Sequence, residues 1–94
     1  MPDKLDPEST VVVPASVMSR LVGDETVLLD MASGFYFGLD GVGKLIWESV
    51  ADGQTIAQTA ANIANEYDVE QERAQSDVID FVSDLLERGL LQRS

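Results

Sequence analysis

The 94-residue chain has no cysteine and no histidine, and 6 basic residues stand against 17 acidic ones. Without cysteine there is no thiol nucleophile and no disulfide; without histidine there is no imidazole base, and most zinc ligand sets are gone. The formal net charge of −11 repels nucleic acid and anionic lipid and favours neutral or basic partners, although solubility alone explains such a charge about as well. No apolar run approaches membrane-spanning length, and the acidic start Met1-Pro2-Asp3-Lys4-Leu5-Asp6 is unlike a secretory signal. The expectation is a cytoplasmic protein with no membrane and no nucleic-acid partner. What the chain does have is 45% hydrophobic residues, enough for one small core and too many for a disordered segment.

The most informative stretch is 26–40. Val27, Leu28, Leu29 and Met31 form one β arm, and Phe35, Tyr36, Phe37 and Leu39 a second. Ala32-Ser33-Gly34 supplies the turn, with Gly34 free to take a positive φ. The second arm carries no Lys, Pro or charge, the devices that normally blunt a sheet edge. An edge left open in this way is expected to be completed by another chain.

Along the chain, residues 1–9 look like a loose tail. Thr10-Val11-Val12-Val13 is a β-branched run stopped by Pro14, either a strand or a docked extended segment. Residues 17–22, 25–31 and 35–38 are expected to make a three-stranded antiparallel meander. Asp40 is a candidate N-cap for a first helix over about 41–51, ended near Gly53. Thr55 and Gln58 fit a capping box for a second helix reaching about residue 66, with Ile56, Ala60, Ile63, Ala64 and Tyr67 on one face. A third helix over about 70–88 puts Ala74, Val78, Phe81, Val82 and Leu85 on a broad apolar face. Gly89 ends it, Leu90-Leu91 folds back, and Gln92-Arg93-Ser94 frays. The fold class is therefore α+β: a three-stranded antiparallel sheet followed by three helices, in winged helix-turn-helix-like order. The organisation is a flexible or extended N-terminal segment, 1–16, and one domain, 17–91.

Topology alone invites a DNA-binding reading, but the third helix holds Glu70, Glu72, Asp77, Asp80, Asp84 and Glu87 against Arg73 and Arg88. Such a helix does not sit between phosphates. Asp77, Asp80 and Asp84 line one helical edge; with no nucleophile or histidine beside them they read as a solvated face rather than as an acid–base or metal site. Gly38-Leu39-Asp40-Gly41-Val42-Gly43-Lys44 lacks the spacing of a P-loop and its Ser/Thr after the lysine. No enzymatic activity, cofactor or metal is expected.

Val27-Leu28-Leu29-Asp30, Gly34-Phe35-Tyr36-Phe37-Gly38-Leu39-Asp40, Gly43 with Ile46-Trp47-Glu48, Asp52-Gly53-Gln54-Thr55, Tyr67-Asp68-Val69, and Asp77-Val78 through Phe81-Val82 and Leu85 to Gly89-Leu90-Leu91 together resemble the PqqD-like family over about residues 17–91. Each motif alone is a turn, cap or core signal; the ordered combination is specific. The family's Leu-Asn before the first helix is Leu39-Asp40 here.

The resemblance implies a non-catalytic recognition element for ribosomally made, modified peptides. The leader of a precursor peptide would add as a strand to the third strand beside the third helix, and a leader peptidase or other modifying enzyme would act on the tethered peptide. Lasso-peptide biosynthesis is the favoured setting. A PqqD-type chaperone for a radical enzyme in PQQ biosynthesis, and a winged-helix module pairing through its edge strand, are the alternatives. The expected peptide-binding set is Gly34, Phe35, Tyr36, Phe37 and Gly38 on the strand, with Asp77, Val78, Phe81, Val82 and Leu85 on the helix. Asp77, Asp80 and Asp84 would catch basic leader residues. Trp47 is expected in the core.

Overall fold

A computed structural model describes residues 5–94. Its elements are β1 (Val11–Val12), β2 (Val17–Val22), β3 (Glu25–Asp30), β4 (Tyr36–Leu39), α1 (Gly41–Ala51), α2 (Ile56–Tyr67), α3 (Gln71–Glu87) and β5 (Gln92–Arg93). The meander is as expected, β2-β3-β4, all antiparallel. Two cross-strand rows, Ser19–Leu28–Phe37 and Leu21–Thr26–Leu39, face the helices. Alternate residues Met18, Leu29 and Tyr36 share the opposite face.

The β3–β4 turn is organised by Asp30. Its carboxylate accepts from the Ala32 amide and the Ser33 hydroxyl, both at 3.0 Å, and its carbonyl accepts from the Gly34 amide at 2.8 Å. Gly34 takes φ +82°, where a side chain would be strained.

The core gathers Val17 and Leu28 from the sheet, Ile46, Trp47 and Val50 from α1, Ile56, Ala60 and Ile63 from α2, and Ala74, Val78, Val82 and Leu85 from α3. Trp47 is buried, as expected. Both halves of the Thr55–Gln58 capping box form. Asp40 stands at the N-cap of α1 but makes no side-chain cap bond. Tyr67, placed on the buried face by periodicity, is exposed at the end of α2, where Asp68 turns left-handed and lifts the chain off the core.

The larger departure is at the termini. Residues 5–9, expected as part of a loose tail, are tied down: Leu5 is buried, and the Pro7 and Ser9 carbonyls accept the first amides of α2, from Ala57 and Ile56. Residues 1–4 lie outside the described residues. The end expected to fray instead forms β5, antiparallel to β1, and Leu90 and Leu91 before it are buried. β1 falls within the β-branched run 10–13, one of whose two readings is a strand; β5 has no pattern that announces it and exists because β1 is there to pair with it.

Candidate functional site

In the order β2-β3-β4, the last strand bonds to β3 only. Which of its backbone groups are left over follows from register. The Asp30 amide donates to the Phe35 carbonyl, and on the other side of β3 the Met31 amide donates to the Ser16 carbonyl. Antiparallel ladders alternate, so Phe37 and Leu39 turn their backbone groups to β3, as Phe35 does its carbonyl, while the Phe35 amide donates to the Ser33 hydroxyl at 3.3 Å. Tyr36 and Gly38 present theirs to the open edge. Each offers one N–H and one C=O, four groups in a row. Gly38 adds no side chain there; a Cβ on it would stand 3.1 Å from Oε1 of Glu25.

The inner side of this edge is bounded by α3. At about 100° per residue, Asp77, Phe81, Asp84 and Arg88 fall within about 60° of one another. Two contacts orient that stripe toward β4. Phe81 lies against α1 beside Leu39: a Cβ on Gly43 would be 3.3 Å from Cζ of Phe81 and 3.9 Å from Cδ2 of Leu39. The Arg88 guanidinium sits 5.7 Å from the centre of the Phe37 ring, and its Nε donates to Oδ2 of Asp84 at 3.0 Å. The helix thus runs antiparallel to the strand, with 88 opposite 37 and 81 opposite 39.

The expected residues divide. Gly34, Phe35, Tyr36 and Gly38 are exposed on or beside β4, and Phe37, Leu39 and Phe81 are half-buried between the strand and α3. Asp77 is exposed on the groove-facing stripe. Val78, Val82 and Leu85 are 0%, 0% and 4% exposed, so they are the domain's own core and offer a guest no surface. Periodicity defines the apolar face of α3 but not where on it the core ends; the stripe that borders β4 is rotated about 100° from those three. Arg88 and Gly43 were absent from the expected set. Arg88 had a signal, its i+4 spacing from Asp84 and i+7 spacing from Phe81.

The second free edge, β2, is less suited. Its flank is a cavity of about 360 Å³ lined by Ser19, Arg20, Leu21 and Thr26 with Trp47, Glu48, Ala51 and Asp52 of α1. Trp47 is buried at its base, and two acids stand at its rim. Among the described residues no group of acidic side chains is arranged to hold a metal ion, and no helix is long and apolar enough to cross a membrane.

A small sheet backed by three helices, with an unpaired edge on β4 and the half-buried Phe37 and Phe81 beside it, defines a winged-helix-like α+β domain. Within that class the chain belongs to the PqqD family: the family model for coenzyme PQQ synthesis protein D (PqqD) matches residues 25–91. Two solved structures are similar over nearly their whole length. One is TbiB1 in complex with the TbiA(beta) leader peptide, 35% identical, with 84% of this chain and 92% of that chain covered and a TM-score of 0.79. The other is lasso peptide synthetase B1 complexed with the leader peptide, 30% identical, covering 89% and 96% at a TM-score of 0.78. No curated protein matches.

Proposed function

We propose that this chain is a non-catalytic adaptor that binds the leader segment of a ribosomally made precursor peptide and presents it to a leader peptidase or other modifying enzyme, in lasso-peptide biosynthesis. The observation that carries the reading is the unpaired edge of β4, with the Tyr36 and Gly38 backbone groups facing out beside the Phe37–Phe81 cleft. Likeness to two structures that contain leader peptides supports it.

Strand addition sets the energetics. Four backbone bonds at about 0.5–1.5 kcal/mol each give roughly 2–6 kcal/mol, and ordering a disordered leader costs about 2–5 kcal/mol. The two nearly cancel. Micromolar affinity needs about −8 kcal/mol. Apolar leader side chains packed against Leu39 and Phe81 supply the rest, at about 1.5–3 kcal/mol each when fully buried. Backbone bonding therefore fixes register, and the cleft provides affinity and selectivity.

Titrating a fluorescent synthetic peptide of the leader encoded beside this chain tests the proposal. Saturable binding that is lost in Phe81→Asp, with the circular dichroism spectrum intact, supports it. Binding unchanged in Phe81→Asp and in Phe35→Asp removes the assignment of the cleft. The family name favours a second reading, a peptide chaperone in PQQ synthesis. That reading requires affinity for a precursor encoded beside a radical enzyme instead of one encoded beside a leader peptidase.

A further inference from the structure

Resting on the leader-binding reading, we infer that Arg88 is a specificity-determining residue that selects an acidic side chain on the guest peptide, two positions from an apolar anchor.

A strand paired with β4 bonds to Tyr36 and Gly38. The guest residue directly opposite Phe37 then points to the same side of the sheet as Phe37, toward α3. So does the guest residue two positions on, opposite Leu39. The two meet different surroundings. Opposite Leu39 the wall is Phe81, set against Gly43, and it is apolar. Opposite Phe37 the wall is the Arg88 guanidinium.

Three features make that guanidinium a reader rather than a bystander. It is held from two sides, by the Phe37 ring and by Asp84, so little side-chain freedom is left to lose. Only its Nε is engaged; no bond from its two terminal nitrogens is found among the described residues. It is also about half exposed, so a guest can reach it. A planar donor set fixed in this way matches a carboxylate. In a chain of net charge −11 most of the surface repels a peptide carboxylate, so a position beside the Arg88 guanidinium is favoured over one facing an acid of the same helix. At the far end of the stripe Asp77 imposes the opposite preference. The leader code is thus an Asp or Glu and an apolar residue separated by one residue, their order set by the direction in which the guest strand runs.

The test uses a displayed library of random 14-residue peptides, selected on the wild-type chain and on Arg88→Glu, with Kd values then measured by fluorescence polarisation. Wild-type selections should carry Asp or Glu one residue away from a Leu, Ile, Val or aromatic residue. Changing that acid to Lys should weaken binding at least tenfold on the wild type and strengthen it on Arg88→Glu. Arg88→Lys, which keeps the charge and loses the fork, should fall between. The same motif emerging from both selections, or less than a threefold effect of the acid-to-Lys change on the wild type, overturns the assignment of Arg88. Selected peptides whose affinity is untouched by Tyr36→Pro bind elsewhere. They would remove strand addition itself, and Arg88's role with it, as would a selection that yields nothing.

Discussion

Tyr36→Pro isolates the backbone contribution of the open edge. Proline lacks an N–H, and at this position the missing donor faces outward, not toward β3. Proline is tolerated in strands at such edge sites. The native Tyr36 side chain is 73% exposed, so its removal takes little from the core. Stability should change by no more than about 1 kcal/mol, the scale of surface changes plus mild strain in φ. Binding should suffer more. One guest bond of about 0.5–1.5 kcal/mol is lost outright. The pyrrolidine ring then occupies the space into which the guest carbonyl must come, at a strand spacing of about 4.8 Å, and the neighbouring bond is lengthened. A combined loss of about 2 kcal/mol is a roughly 30-fold rise in Kd. Tyr36→Thr, which keeps the amide and a β-favouring side chain, separates the backbone effect from loss of the ring. Urea unfolding and leader titration of both variants give the answer. A Tyr36→Pro protein that binds as tightly as Tyr36→Thr would mean that the leader does not bond to this edge.

Other variants probe the parts around that edge. Phe81→Asp places a charge beside Leu39 and Asp84 and should abolish detectable leader binding while the domain still melts cooperatively, checked by titration and thermal circular dichroism. Leu85→Ala should behave in reverse, costing about 2–5 kcal/mol in urea unfolding because Leu85 is core, with leader affinity of the folded protein within threefold of wild type. The Thr59 hydroxyl on α2 is buried with no hydrogen-bond partner among the described residues. Thr59→Val should therefore be neutral or raise stability by up to about 1 kcal/mol, since it removes an unsatisfied polar group of similar size.

How far the sequence discloses this molecule differs from element to element. The sheet and helices were legible because each is written locally: the apolar arm at 27–31 closed by the Ala32-Ser33-Gly34 turn, the capping box at Thr55, the glycine ends at Gly53 and Gly89. The openness of β4 was legible too, from the lack of any charge or proline over 35–39. The β1–β5 pair was not, since two-residue strands at opposite ends of a chain have no period to read. On α3 the helical period shows a broad apolar face but does not say which of its positions the core takes. Val78, Val82 and Leu85 went to the core and Phe81 to the cleft because α1 approaches at Gly43, a tertiary fact. Arg88 reaches Phe37 for the same reason, a contact between residues far apart in sequence.

Amide hydrogen exchange on ¹⁵N-labelled protein, with and without saturating leader peptide, addresses the edge most directly. The amides of Tyr36 and Gly38 should exchange freely in the unliganded chain and become protected on binding, while those of Ser19 and Leu21 on the β2 edge should not change. Protection gained at Ser19 and Leu21 instead, or at none of these four amides, would mean that the leader does not add to β4.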